Sequence, residues 1–428
     1  MNRADHHVVI VGGGFAGLTA ARALDVPGVR VTLIDRRNHH LFQPLLYQVA
    51  TAGLSAPDIA APLRHILRRQ ANVAVHLGEV VGVDLEAASV QLTAGTALKY
   101  DSLLLATGAT HSYFGHDEWA EHAPGLKTVG DALDLRQKLL LAFERAEATD
   151  APAERSAWLS FAIIGAGPTG VELAGTLAEI ARHTLKNEFR RIDPASARVR
   201  LIEAGDRVLP SFPPDLSQKA RAQLERLGVE VLTGQPVTHI DETGYRLSET
   251  YVPARTVVWA AGVQASPLGR ALGLPVDRAG RVLVEPDLTV RGHPNVFVLG
   301  DLASISQNGK PVPGIAPAAK QMGRYAAAAI RARLKGQGHP AFRYRDFGNW
   351  ATIGRMAAVV HFGRIKLSGL LAWWGWLAAH VFFLIGFRNR FVVLTNWAMA
   401  YWTYRRAARV IAEQPSGISQ HSPKGDTQ

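Results

Sequence analysis

The stretch His7-Val8-Val9-Ile10-Val11-Gly12-Gly13-Gly14-Phe15-Ala16-Gly17 decides the fold. Its apolar opening reads as a buried strand, and Gly12-x-Gly14-x-x-Gly17 reads as the turn into a helix. The glycines have separate tasks. Gly12 makes the tight turn, Gly14 lets backbone approach a pyrophosphate, and Gly17 lets the helix pack on the sheet. The unpaired N–H groups at the helix start then face the phosphates. Leu18, Ala21 and Leu24 continue the helix, and Val29–Ile34 supplies a second strand ending in Asp35. Asp35 lies 18 residues beyond Gly17, close to the roughly 20 expected of a ribose-binding acid. Strand, helix, strand and acid in that order define a dinucleotide site.

The pattern returns 153 residues later as Phe161–Ile164, Gly165-x-Gly167-x-x-Gly170, a helix from Val171, and Val199–Ile202 ending in Glu203. This is a second nucleotide domain. Its acid comes 33 residues after Gly170, and Arg182–Asp193 is expected to absorb the excess as an extended helix or helical insertion. Glu203 accepts both ribose hydroxyls and repels a 2′-phosphate, which favours NADH over NADPH; Arg207, four residues on, tempers that preference. Ala261-Gly262, inside the apolar run Val257–Val263, should close this site near the nicotinamide.

Two segments mark the first site as FAD-binding. Leu103–Ala109 is a strand running into Ala106, Thr107 and Gly108, and Val296–Asp301 ends in Gly300-Asp301. Small residues at strand ends let a long cofactor lie across the sheet edge, with Asp301 accepting from a ribityl hydroxyl. The alternative for Asp301 is a helix N-cap. Glu172, one turn into the second nucleotide helix, reads either as favourable charge–dipole placement or as a group near the flavin–nicotinamide contact that tunes hydride or proton transfer.

Across 428 residues, 47% are hydrophobic and 19% charged, which suits a folded chain of two or three domains. Cysteine is absent. That excludes disulfide relays, thiolate metal sites and Cys nucleophiles, and no metal site is expected. No secretory signal is visible before the first strand, so the protein is expected on the cytoplasmic side.

The net charge of +11 is uneven. Residues 331–428 hold 14 Lys and Arg against Asp346, Glu413 and Asp426, while the rest balances at 33 of each sign. Leu367–Phe387 has no charged residue, includes Trp373, Trp374 and Trp376, and is followed by the uncharged Phe391–Tyr404 with Trp397, Tyr401 and Trp402. Arg388, Arg390, Arg405, Arg406 and Arg409 bracket both stretches. Helices lying in the headgroup layer of an anionic membrane fit this pattern best. A spanning helix and a soluble dimer interface are the alternatives. The arginines are interleaved with apolar stretches, so nucleic acid is not an expected partner.

Taken in order, these segments resemble the type II NADH:quinone oxidoreductases, single-subunit respiratory dehydrogenases that do not pump protons. The resemblance covers nearly all of residues 7–412. It rests also on Leu41-Phe42-Gln43-Pro44-Leu45-Leu46-Tyr47-Gln48-Val49-Ala50, on Gly314-Ile315-Ala316-Pro317-Ala318-Ala319-Lys320-Gln321, and on Ala351-Thr352-Ile353-Gly354-Arg355. It implies that Phe42–Tyr47, with Pro44, runs along the isoalloxazine, and that FAD is contacted by Gly12, Gly13, Gly14, Phe15, Ala16, Gly17, Asp35, Arg36 and Val80. It also implies that Ala316, Pro317, Ala318 and Gln321 line a quinone tunnel. Many members carry two glutamines there; this chain keeps Gln321 and has Pro317 at the earlier position. Quinone protonation would use Glu172 or water.

The expected fold is α/β, with two Rossmann-like dinucleotide-binding domains and a C-terminal amphipathic-helix membrane anchor. Residues 1–112 begin the FAD domain and 113–150 form a connecting helix. NADH occupies 151–290, and the FAD domain resumes over 291–335. Membrane anchoring falls to 336–412, and 413–428 is disordered. The rival readings are a soluble reductase serving a ferredoxin-like carrier and an NADH-sensing redox-regulated binding protein.

Overall fold

The computed structural model describes residues 5–411 except 94, 385, 386, 404, 405 and 407, and gives no side chains for 387, 388 and 400–403. The expected disordered tail, 413–428, lies outside the described residues, as do Arg405 and the side chains of Arg388, Tyr401 and Trp402.

The first glycine turn joins β1 (His6–Val11) to α1 (Phe15–Ala23), and β2 (Val29–Asp35), β3 (Val73–Leu77) and β4 (Ser102–Leu105) follow. After the long α2 (Val129–Ala148) the chain builds β5 (Ser160–Ile164), α3 (Pro168–Glu179), β6 (Arg198–Glu203), α4 (Pro214–Arg226), β7 (Val229–Thr233) and β8 (Thr256–Trp259). It then returns through the hairpin β9 (Thr289–Val290) and β10 (His293–Val298) to α5 (Ala316–Leu334).

The first sheet has the order β9-β10-β4-β1-β2-β3, parallel except for its β9–β10 edge. The second, β7-β6-β5-β8, is parallel throughout. Helices cover both faces of such sheets, which explains why central strands read as continuous apolar runs. Val8–Ile10, Leu103–Leu105 and Val296–Leu299 are all fully buried. β9 already belongs to the first sheet, so the return begins just before residue 291.

The excess length before Glu203 is helical only at its start. α3 ends at Glu179, one π-helical turn covers Ile180–Thr184, and an irregular loop runs on to Asp193. Its backbone is satisfied from outside: the Glu147 carboxylate of α2 accepts from the N–H groups of Arg190, Arg191 and Ile192.

Beyond α5 lies an antiparallel meander that the periodicity did not reveal: β11 (Asn349–Gly354), β12 (Ala357–Phe362) and β13 (Ile365–Ser368). It presses on α3 so closely that a Cβ at Gly175 would stand 1.6 Å from the Ile353 carbonyl oxygen. The charge-free stretch 367–387 is broken. α6 (Leu370–Phe383) stops before Leu384, and α7 (Phe387–Thr403) follows. Arg390 of α7 donates to the Leu384 and Phe382 carbonyls, which satisfies the end of α6. Among the described residues no helix is long and apolar enough to cross a membrane.

The bracketing arginines require a correction. Arg390 is spent on those carbonyls. Arg406 is buried against Glu179 at 3.6 Å, and Arg409 pairs with Glu188. Arg406 and Arg409 latch the tail to the body, Arg390 ties α7 to α6, and none of the three is held out towards a lipid surface.

Candidate functional site: two nucleotide clefts and their junction

A cleft of about 650 Å³ crosses the carboxyl edge of the first sheet. Gly12 has φ +107°, and a Cβ there would meet the Ala106 carbonyl oxygen at 2.3 Å. A Cβ at Gly17 would stand 1.9 Å from the Gly12 oxygen, whereas one at Gly14 would meet nothing within 4 Å. Gly14 therefore borders open space at the start of α1, where a pyrophosphate fits. Asp35 braces the turn, accepting from the Gly13 N–H at 2.6 Å and from the Arg37 N–H at 2.7 Å.

Gly12, Gly13, Gly14, Phe15, Ala16, Asp35, Arg36, Val80, Ala106, Thr107, Gly108, Gly300 and Asp301 all line this cleft. Two expected contacts do not. Gly17 is consumed by helix–turn packing, and Pro44 lies in a 3-10 turn from which Gln43 reaches the wall instead. Asp301 is no N-cap. It sits inside the 3-10 turn Gly300–Leu302, which Leu299 caps. Burial raises its carboxyl pKa, against the pull of Lys127. The Thr107 hydroxyl is buried without a partner among the described residues. An open glycine, an unpartnered hydroxyl and a buried carboxylate along one edge fit the pyrophosphate and ribityl chain of FAD.

Lys127, Thr128 and Asp131 also line the cleft, and sequence reasoning missed them. The signal was the capping box Thr128-x-x-Asp131 ahead of α2. Burial pushes the Asp131 pKa up, but hydrogen bonds from His111, Thr128 and the Lys127 and Thr128 backbone outweigh it and hold the value at about 2.

The second turn repeats the first almost distance for distance. Gly165 has φ +101° with the Ala261 Cα 2.3 Å from a Cβ position, Gly167 is open, and a Cβ at Gly170 would stand 1.9 Å from the Gly165 oxygen. Glu203 accepts from the Ala166 N–H at 2.7 Å and from the Gly205 N–H at 2.8 Å, as Asp35 does in its own turn. Arg207 is turned towards the Pro210 carbonyl and Asp206. Gly262 lets Phe114 and the Ser112 carbonyl approach; a Cβ would meet them at 2.6 and 2.9 Å. The strands Ala109–His111 and Val263–Ala265 pair there, tying the two nucleotide units together.

Glu172 is 7% exposed, and its only hydrogen bond among the described residues is a long one, 3.4 Å from the Thr352 N–H. Burial lifts its pKa well above the carboxylate range. Burial, then proximity to Glu172, also lifts Tyr47. The Tyr47 hydroxyl accepts from Gln48, whose carbonyl accepts from the Trp397 indole at 2.6 Å. The segment expected along the flavin thus ties α3 to the tail.

Ala316 and Pro317 form the first turn of α5. Ala318 is buried in the core, and it is Ala319 that lines the FAD cleft. The Gln321 amide is committed to the chain: it donates to the Arg345 carbonyl and accepts from the Arg345 N–H, both at 2.9 Å. A ligand role for its amide would require that clasp to open.

Fold and clefts together define a two-dinucleotide-binding flavoprotein. Residues 6–323 match the pyridine nucleotide-disulphide oxidoreductase family model, although the chain has no cysteine to form the disulfide of that name. Within that class the chain belongs to the type II NADH:quinone oxidoreductase family. It is 47% identical to type II NADH:quinone oxidoreductase NdhA of Mycobacterium tuberculosis, over 96% of this chain and 90% of that protein. It is 31% identical to demethylphylloquinone reductase NdbB of Synechocystis, over 93% and 96%. The structure of NDH2 from Plasmodium falciparum in complex with NADH superposes with a TM-score of 0.87 at 21% identity, covering 96% of this chain and 100% of that one.

Proposed function

We infer that this chain oxidises NADH and reduces a quinone through bound FAD, at a membrane surface and without moving protons across it. The carrying observation is the junction itself: two braced nucleotide turns belong to units joined at residues 109–111 and 263–265, and the tail helices reach the flavin side. The Phe42 ring, from the segment expected along the isoalloxazine, stands 6.3 Å from the His380 ring of α6. Relatives named for NADH and quinone support the same reading.

FAD, when bound, supplies a two-electron relay between a hydride donor and an acceptor that need not meet. The chain supplies orientation. Gly14 and Gly167 leave room for the two pyrophosphates, while Asp35 and Glu203 fix the turns and keep lone pairs for ribose hydroxyls. Glu203 and an occupied Arg207 favour NADH over NADPH. Burial favours the neutral form of Glu172, which lies beside Tyr47 where the two nucleotide units and the tail converge.

Membrane contact is supported by one face of α6. Leu371, Trp374, Ala378 and Phe382 recur every three or four residues, with Leu371 72% and Phe382 68% exposed, while Ala372 and Trp376 pack inward. Phe391 and Met399 of α7 and Ile365 at the start of β13 are further exposed apolar side chains, with the exposed Arg364 next to Ile365 in the chain; Lys366 is paired with Asp215. The arrangement suits a helix in the headgroup layer. The same face burying itself in a homodimer is the alternative.

Purified protein should be yellow and should oxidise NADH only when a soluble ubiquinone or menaquinone analogue is added. Turnover with a ferredoxin and none with quinone would overturn this function.

A further inference from the structure

Lys320, on the first turns of α5, has no carboxylate partner among the described residues. Its ammonium sits 5.1 Å above the Phe15 ring of the FAD turn and 5.0 Å from the Phe383 ring of α6. A cation between two aromatic faces is held by their quadrupoles alone. The surroundings repeat that poverty of anions. The charged groups facing it are Arg324 of α5 itself and Arg390 of α7. From the strand His39–Leu41 comes His40, whose ring stands 5.0 Å from Phe15 and whose Nε2 is buried without a partner among the described residues. His380 of α6, stacked on Trp376, packs edge-on to Phe42, which in turn meets Phe15. Burial keeps both histidines neutral at physiological pH, each at about 4.

Lys320 therefore stands where the FAD turn meets the apolar tail, with no carboxylate facing it among the described residues and with two neutral imidazoles packed on Phe15 and Phe42. Such a site suits a neutral, apolar ligand whose oxygens gain negative charge during reaction. A resident carboxylate would cancel the Lys320 field and repel that charge; none is present among the described residues.

We propose that Lys320 is the proton donor to the quinone oxygen. The proposal rests on the quinone-reductase function given above. Reduction of a quinone to its hydroquinone needs two electrons and two protons. Hydride leaving NADH carries both electrons and one proton. The second proton leaves the Lys320 nitrogen as the O–H bond forms, and water recharges the neutral amine, so that NADH, one proton and quinone give NAD⁺ and hydroquinone. Burial, then Arg324 and Arg390, lower the Lys320 pKa to about 8, close enough to the working pH for the amine to give and regain a proton.

The test uses full-length, FAD-loaded protein and follows the flavin absorbance in two separate mixing experiments: bleaching by NADH, and recovery on adding a soluble quinone analogue. In wild type, recovery should slow as pH rises through about 8, where burial and the neighbouring arginines place the Lys320 pKa. In Lys320→Met, recovery should be about 100-fold slower, a usual contribution of a positioned acid. That alkaline limb should also disappear, while bleaching is affected far less. Lys320→Arg keeps the charge and the ring contacts but does not release its proton. It should match wild type in flavin content and melting temperature yet recover as slowly as the methionine variant. Arginine at the wild-type rate, an unchanged alkaline limb in the methionine variant, or equal loss in both experiments would each overturn the donor role. Wild-type protein that no quinone re-oxidises would instead sink the function on which the proposal rests.

Discussion

Gly14 and Gly17 lie three residues apart and should fail differently when given a side chain. A Cβ at Gly14 meets no protein atom, so Gly14→Val should leave the flavin-free melting temperature unchanged and abolish the yellow colour. A Cβ at Gly17 collides with the Gly12 oxygen, so Gly17→Ala should lose about 1–3 kcal/mol in chemical denaturation, the usual cost of overpacking. Glu203→Gln removes the charge that repels a 2′-phosphate and should narrow the NADH-over-NADPH ratio of kcat/KM about tenfold, equivalent to ~1.4 kcal/mol; an unchanged ratio would count against its role. Glu172 carries a pH signature. Folding raises its pKa through burial. Stability from such a group is complete at low pH and is lost as pH climbs from the ordinary carboxylate range towards the raised value. Glu172→Gln is neutral throughout, so it should melt with wild type at pH about 4 and above it at pH about 8. A lower melting temperature at both would mean that the carboxylate is held charged.

At the scale of elements, the β11–β13 meander is a clamp between nucleotide domain and tail. Gly175→Ala drives a methyl into the Ile353 carbonyl and should cost about 1–3 kcal/mol while leaving both glycine turns intact; unchanged stability would show that the clamp is loose. The turns and their acids were legible because each is a local device of glycine spacing and strand ends. The meander was not, because Trp350–Ile353 is short and its pairing is set by contacts with α3 and α6. Lys127 and Asp131 escaped notice because tertiary folding alone carries the start of α2 to the FAD cleft. Gln321 stood on a recognisable motif, yet its amide turned to the Arg345 peptide, a partner 24 residues away. Arginines that looked lipid-facing in the sequence proved to be latches, because Glu179 and Glu188 lie where only the fold brings them.

For the whole molecule, the tail is both core and surface. Deleting it would remove Ala372, Trp376 and Val393 from the interior, so point changes on the outer stripe are the cleaner probe. Leu371→Glu, Trp374→Glu or Phe382→Glu should each weaken binding to anionic vesicles about tenfold or more, given ~1.5–3 kcal/mol for a large apolar side chain, without lowering the melting temperature. If wild type ignores vesicles and sediments as a dimer that the same changes dissociate, the face is an interface between copies. The most direct test of the account places FAD-loaded protein on anionic vesicles containing quinone and a lumenal pH dye, then adds NADH. The account predicts one hydroquinone per NADH consumed and no proton movement into or out of the lumen. NADH oxidation that leaves the quinone unreduced, or that drives a lumenal pH change, would contradict it.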